Sequence, residues 1–123
     1  MKRLSVRLKN LEFRNPVLPA SGTFGFGREY SSFFDLNTLG GIVTKSITLS
    51  PRTGNPQPRI YEVYGGVLNS IGLENPGISY FVDKELPFIE SINTIKIVSI
   101  AGSKIEDYVE LSSILENTSI DAI

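Results

Sequence analysis

Short apolar runs rich in β-branched residues recur along this chain, and each stops abruptly at small polar or charged side chains. Pro16-Val17-Leu18-Pro19-Ala20 leads into Ser21-Gly22-Thr23-Phe24-Gly25-Phe26-Gly27, and Gly40-Gly41-Ile42-Val43-Thr44 ends on Lys45-Ser46. Lys96-Ile97-Val98-Ser99-Ile100 ends on Ala101-Gly102-Ser103, and Asp121-Ala122-Ile123 has the look of a fourth run beginning. Runs this short and continuously apolar suit parallel strands buried on both faces. Two intervening stretches carry helical periodicity. Ile78, Phe81, Val82 and Leu86 share a face until Pro87 interrupts it. From Ser103 to Leu115 the stripe is Ile105, Tyr108, Val109 and Leu115, and Ser103 with Glu106 makes a capping box that predicts Ser103 as the N-cap. Strands alternating with helices predict an α/β fold in which the runs at 16–20, 41–44 and 97–100 are adjacent, parallel and in chain order. Leu4 to Phe13 alternates weakly around Lys9-Asn10, as a surface hairpin does.

Between Ile47 and Gly77 the periodicity is lost. Pro51, Gly54, Pro56, Pro58, Gly65, Gly66, Gly72, Pro76 and Gly77 crowd into one long excursion. Such excursions inside a compact domain are usually functional. In α/β barrels the loops after the strands' C-terminal ends build the active site. Ser21, Lys45, Ser46 and Ser99 each sit at or just after the end of an apolar run.

Composition removes several classes of function. The 123 residues suffice for one small domain, and 12 Lys and Arg against 13 Asp and Glu give a net charge of −1. That balance offers no footprint for nucleic acid or for an anionic membrane surface. With no Cys and no His, the chain contains no zinc site, no disulfide framework, and no thiol or imidazole base. No signal-type apolar segment and no span of roughly 20 apolar residues is visible, so a cytoplasmic location is expected.

The remaining polar residues admit two readings each. Lys45 is either a lysine snorkelling from a barrel rim, the commoner case, or a fixed cation for an anionic ligand or developing negative charge. Ser46 adds a hydroxyl beside it. Gly22, Gly25 and Gly27 either make a turn or let the backbone approach a ligand, with Ser21 and Thr23 as donors; neither a dinucleotide fingerprint nor a P-loop is present. Asn69 is either a turn former or an amide suited to the edge of a pyrimidine-like ring. The aromatic group Phe24, Phe26, Tyr30, Phe33 and Phe34 is expected in the core.

Longer stretches carry a resemblance. Asn15 through Thr23-Phe24-Gly25-Phe26-Gly27-Arg28-Glu29-Tyr30, then Gly41-Ile42-Val43-Thr44-Lys45-Ser46, then Pro51-Arg52-Thr53-Gly54-Asn55-Pro56-Gln57-Pro58-Arg59, then Leu68 to Gly77, resemble in order the class 1 dihydroorotate dehydrogenases. In detail they look like the NAD-linked class 1B branch rather than the fumarate-linked class 1A branch. The resemblance implies a (β/α)8 TIM barrel binding FMN at the strands' C-terminal face, of which this chain would cover roughly the first half. It implies that Ala20, Ser21 and Gly22 line the flavin, that Lys45 and Ser46 contact it, and that Lys45 also faces orotate. It further implies that Asn69, Ser70, Ile71, Gly72 and Leu73 form the substrate loop. Ser99 stands where the family usually has Asn, which weakens that flavin contact.

The family's catalytic cysteine, which removes the C5 proton of dihydroorotate as hydride leaves C6 for FMN, lies on a motif that would begin beyond Ile123. The expectation is therefore that residues 1–123 are the N-terminal part of a single FMN-binding domain, inactive by themselves. Partners implied are dihydroorotate and orotate, a subunit carrying an iron–sulfur cluster and FAD that passes electrons to NAD+, and a homodimer of catalytic subunits within a heterotetramer. Two alternatives stand beside this: the flavin domain of a dihydropyrimidine dehydrogenase, which shares the barrel and substrate logic, and a non-catalytic truncated product.

Overall fold

The computed structural model describes residues 4–123. Its first element is an antiparallel hairpin of β1 (Val6–Leu8) and β2 (Leu11–Phe13), turned at Lys9 in the left-handed region, as the alternation around Lys9-Asn10 predicts. The centre is a parallel pair, β3 (Gly41–Val43) with β6 (Ile95–Ile97), in the register Ile42 to Lys96. Hydrogen bonds carry the pairing past both strands. Thr44 N–H donates to Ile97 O at 3.0 Å, Ile47 N–H to Ser99 O at 2.9 Å, and Ala101 N–H to Ile47 O at 2.8 Å. On the other side of β6, Ala122 bridges Ile97 in parallel and accepts from Val98 N–H at 3.0 Å. Of the expected order, the second and third runs are adjacent and parallel as predicted, though the strand of the third run is Ile95–Ile97, two residues before the expected 97–100, with a further bridge at Ile100.

The first apolar run departs from expectation. Residues 16–20 lie beside β3, with Gly40 N–H donating to Val17 O at 3.1 Å, but they form no strand. Pro16 and Pro19 have no N–H to give a ladder. Contact there is by packing: a Cβ on Gly41 would sit 2.8 Å from Leu18 Cδ2 and 3.0 Å from Ile95 O, so glycine lets the run pack this close to the strand.

Both predicted helices are present. The first is continuous from 78 to 90 but changes pitch: α2 (Ile78–Tyr80), a π-helical segment (Phe81–Glu85), then α3 (Leu86–Glu90). Pro87 does not end it, contrary to the sequence pattern. A regular helix would require an N–H from residue 87 to Asp83 and would drive the proline ring into that carbonyl. Widening the preceding turn to π geometry relieves both conflicts. The second is α4 (Ile105–Leu115). Its N-cap is Lys104, one residue later than predicted. The Asp107 carboxylate, not Glu106, reaches back to accept from Ser103 N–H at 2.8 Å and Lys104 N–H at 3.3 Å. A carboxylate accepts two amides at the positive end of the helix, which a serine hydroxyl in the same place cannot match.

The core forms where these helices cover alternate positions of the strands. Ile42, Ile47 and Val98 from the sheet pack with Ile78, Phe81, Leu86 and Ile89 from 78–90 and Leu111 and Leu115 from α4. Each such side chain contributes about 1.5–3 kcal/mol by leaving water. The opposite-facing Val43, Ile95 and Ile97 are only half-buried, so the strands are not buried on both faces as expected. Helices here supply one layer, and burial on a second face needs another. Among the aromatics expected in the core, Phe24 is buried and Phe26 packs against the core, whereas Tyr30, Phe34 and above all Phe33, 80% exposed, lie at the surface of the short turns 30–38.

The excursion contains an element the sequence did not announce, a hairpin of β4 (Ile60–Val63) and β5 (Gly66–Asn69) turned at Gly65. No helix among the described residues is long and apolar enough to cross a membrane. The cap geometry sets one expected outcome. Asp107→Ala should lower stability by about 0.5–2 kcal/mol, while Ser103→Ala changes it by less than about 0.5 kcal/mol, as read from urea unfolding midpoints.

Candidate functional site

The C-terminal ends of β3 and β6 bring three of the candidate polar residues into one corner. Ser46 Oγ and Ser99 Oγ lie 2.7 Å apart, joined by one hydrogen bond between neighbouring strand ends. Thr44, fully buried beneath them, accepts from Ser99 N–H at 3.2 Å through its hydroxyl. Lys45 adjoins this pair, half-buried, and its backbone N–H donates to Gly25 O at 2.7 Å. That bond fastens the 21–27 segment to the strand end. The segment opens with one helical turn, α1 (Ser21–Phe24), and is held from behind by Phe24 stacking on Tyr30 at 5.1 Å and by Tyr30 Oη donating to Thr23 O at 3.0 Å.

The excursion folds back beside this corner and borders a half-open cavity of about 520 Å³. Gly22, Thr23, Lys45 and Ser46 form its floor. Ile60, Val67, Asn69, Ile71 and Leu73 form the opposite wall. Register explains why hairpin residues 60, 67 and 69 all face inward: Ile60 pairs with Asn69, Glu62 with Val67, and side chains alternate along each strand. A larger cleft, about 880 Å³, runs along α4 and residues 120–123 and includes none of the candidate residues.

Two constructions hold the wall in place. Arg59 is a hub: its guanidinium pairs with Glu74 Oε2 at 2.6 Å and donates to Thr53 O at 2.6 Å and to Asn55 O. Beyond it, Asn55 Nδ2 donates to Ser70 Oγ at 2.7 Å, and Asn55 N–H to Ile71 O at 3.0 Å. Gly72, at φ 79°, lies so close to Asn55 that a Cβ would meet its backbone nitrogen at 2.5 Å. The second construction is Asn75, buried and hydrogen-bonded to Thr48 at the foot of the excursion.

Of the residues singled out in the sequence, Gly22, Lys45, Ser46, Asn69, Ile71 and Leu73 line the cavity, and Ser99 reaches it through Ser46. Ala20 and Ser21 stand just before the floor. Ser70 and Gly72 belong to the wall's backing against Asn55 rather than to its lining. Ile60 and Val67 were not anticipated, although the pairing of Ile60-Tyr61-Glu62-Val63 with Gly66-Val67-Leu68-Asn69 across a glycine turn was available as a hairpin signal. Arg59, Asn55 and Asn75 belong to stretches that carry the family resemblance, and the structure shows that they support the wall.

The donor set suits a flat, mostly apolar ring system with a polar edge. Aliphatic side chains and the Asn69 amide line one wall, and a cation and hydroxyls converge on the floor. Gly22 adds room, since a Cβ built there meets nothing within 4 Å. A flavin ring fits that combination.

Comparison with known proteins places the chain. The family model described as dihydroorotate dehydrogenase matches residues 3–123, and the chain belongs to that family. It is 54% identical over 114 residues to the dihydroorotate dehydrogenase B (NAD(+)) catalytic subunit of Caldicellulosiruptor saccharolyticus, covering 93% of this chain and 38% of that protein. The subunit of the same name from Thermoanaerobacter pseudethanolicus is 50% identical over 120 residues, covering 98% and 40%. This chain therefore spans about two fifths of the length of these relatives. A solved ligand-free DHODH from Eimeria tenella superposes with a TM-score of 0.67 at 24% identity, over 91% of this chain and 34% of that one, and shares its fold over that part.

The Arg59 hub makes a checkable demand. Arg59→Ala should leave the melting temperature within a few degrees, because the core lies elsewhere. It should speed thermolysin cleavage within 51–73 about ten- to a hundredfold, since a partly buried charge-assisted hub worth roughly 1.5–3 kcal/mol is removed.

Proposed function

We propose that these residues form the flavin- and substrate-facing part of a class 1B dihydroorotate dehydrogenase catalytic subunit, within an FMN-binding (β/α)8 barrel domain. One observation carries the reading: the fold brings Lys45 and Ser46, at the end of a parallel strand, into one cavity with Asn69, Ile71 and Leu73 from the excursion. The names of relatives at 50% and 54% identity support it.

When bound, FMN would supply the hydride acceptor for oxidation of dihydroorotate to orotate. Gly22, with Ala20 and Ser21 before it, would support the ring from the floor. Ser46 would offer a hydroxyl, with Ser99 behind it fixing that hydroxyl's direction. Lys45 places a positive charge beside the ligands, where negative charge develops as hydride is delivered and where an orotate carboxylate would lie. Asn69 would pair its amide with the edges of the pyrimidine, and Ile71 and Leu73 would exclude water over it. The relatives' name, a catalytic subunit linked to NAD(+), supports an electron-transfer partner; we assign it an iron–sulfur cluster and FAD, with catalytic subunits paired in a heterotetramer in the cytoplasm.

A hybrid joining these 123 residues to the remaining C-terminal portion of the Caldicellulosiruptor saccharolyticus relative tests the assignment. It should bind FMN and be bleached by dihydroorotate under anaerobic conditions. Lys45→Ala in that hybrid should slow bleaching about ten- to a hundredfold, the size of one lost charge-assisted contact. A wild-type rate would make Lys45 a rim cation.

The 123 residues alone should not oxidise dihydroorotate. They contain no Cys and no His to take the C5 proton. Mixed with excess FMN and dihydroorotate, they should bleach flavin no faster than a protein-free control.

A further inference from the structure

Leu73 lines the cavity from the left-handed region, at φ 57°, a conformation that costs a bulky residue free energy and persists only where the surroundings enforce it. What enforces it is two residues away. Asn75 is 4% exposed, and its side-chain amide is satisfied at every position. Oδ1 accepts from Thr48 N–H at 3.1 Å and Gly77 N–H at 2.9 Å, while Nδ2 donates to Thr48 Oγ1 at 3.0 Å and to Leu73 O at 2.9 Å. The Thr48 hydroxyl has one proton and gives it to Ser50 O at 2.6 Å, so it faces Asn75 as an acceptor. The backbone of Asn75 adds a two-bond bridge to Arg52, at 2.9 and 3.0 Å. One buried amide thus ties the strand end that carries Lys45 and Ser46 to the carbonyl of a strained wall residue.

We infer that Asn75 is a positioning residue: it holds Leu73 left-handed through Nδ2 and so sets the distance of the 69–73 wall from Lys45. The claim rests on the reading that residues 69–73 face substrate only for its ligand arm; the conformational arm stands without it. Asn75→Asp is the informative change, since it keeps the shape and the acceptor for Thr48 and Gly77 N–H but replaces the donor to Leu73 O by a second acceptor. Thr48→Val is the control, because it also breaks the buried pair but leaves Leu73 its donor.

Both variants of the full 123-residue chain should melt at lower temperature. In NMR spectra, the Leu73 coupling constant and Cα and Cβ shifts should report the left-handed conformation in the wild type and in Thr48→Val, and its loss in Asn75→Asp. Retention of that signature in Asn75→Asp, or equal loss in both variants, overturns the inference. Should Asn75→Asp fold too weakly for spectra, Leu73→Gly decides. Glycine needs no enforcement at this φ, so Asn75→Asp should lower the melting temperature less on the Leu73→Gly background than on the parent; an equal drop overturns the claim.

Orotate titrated into the FMN-loaded hybrid, with the same substitutions placed in it, forms the ligand arm. It should shift the amides of 69–73 and Lys45 in the wild type and in Thr48→Val, with affinity about tenfold weaker in Asn75→Asp, the effect of one lost hydrogen-bonded constraint. Equal affinity in Asn75→Asp and the wild type overturns the positioning role. Absence of any shift in the wild type instead refutes the substrate assignment of the loop, while the Leu73 signature still decides what Asn75 holds.

Discussion

Two strands of three residues each do not hold together in water by their own hydrogen bonds. The pairing of β3 with β6 survives because Ile42, Ile47 and Val98 are sealed beneath the 78–90 helix and α4, and because the ladder continues through Thr44, Ile47 and Ala101. Every other feature takes its place from that pair. It fixes the direction in which both strands end, and therefore the side on which Lys45, Ser46 and Ser99 emerge. The hydroxyl pair of Ser46 and Ser99 is possible only because parallel strands in this register deliver both serines to the same level.

Around that fixed corner the cavity has two kinds of wall. The floor belongs to the strand ends and to a glycine-rich turn fastened to them by the Lys45 N–H to Gly25 O bond. The facing wall belongs to an excursion with little core of its own: β4 and β5 are exposed along their whole length. Polar side chains replace hydrophobic burial there. Arg59 gathers three parts of the excursion, and Asn55 and Asn75 fix the segment between Ser70 and Leu73 from either side. Such a wall is shaped by hydrogen-bond geometry rather than by packing, which explains why it is rich in Asn, Arg, Gly and Pro.

Much of this was legible in the sequence where burial dictates pattern. The runs at 41–44 and 97–100, the helix ending at Leu115 and the start of a further parallel segment at 121–123 follow from apolar periodicity alone. Periodicity misled where backbone chemistry overrode it. Residues 16–20 are as apolar as a strand but contain two prolines, and Pro87 was absorbed by a π-helical turn instead of ending its helix. At residue 103, a carboxylate one position beyond the expected partner captured the cap. The β4–β5 hairpin is legible only from its glycine turn, since its strands are exposed throughout and carry no buried apolar face to mark them. Among the site residues, Lys45 and Asn69 could be suspected from their positions in the pattern, and the motif resemblance sharpened the suspicion. The supports could not, since the worth of Asn75 lies in partners 27 residues away at Thr48 and two away at Leu73.

That separation has a kinetic meaning. Closing a 27-residue loop between Thr48 and Asn75 costs about 3 kcal/mol of chain entropy before any contact repays it. The few hydrogen bonds that fasten the clasp each return about 1 kcal/mol net, whereas opening the sheet would uncover an entire core. The excursion is accordingly expected to detach before the sheet does, its backbone amides exchanging with solvent through an opening that leaves β3 and β6 closed.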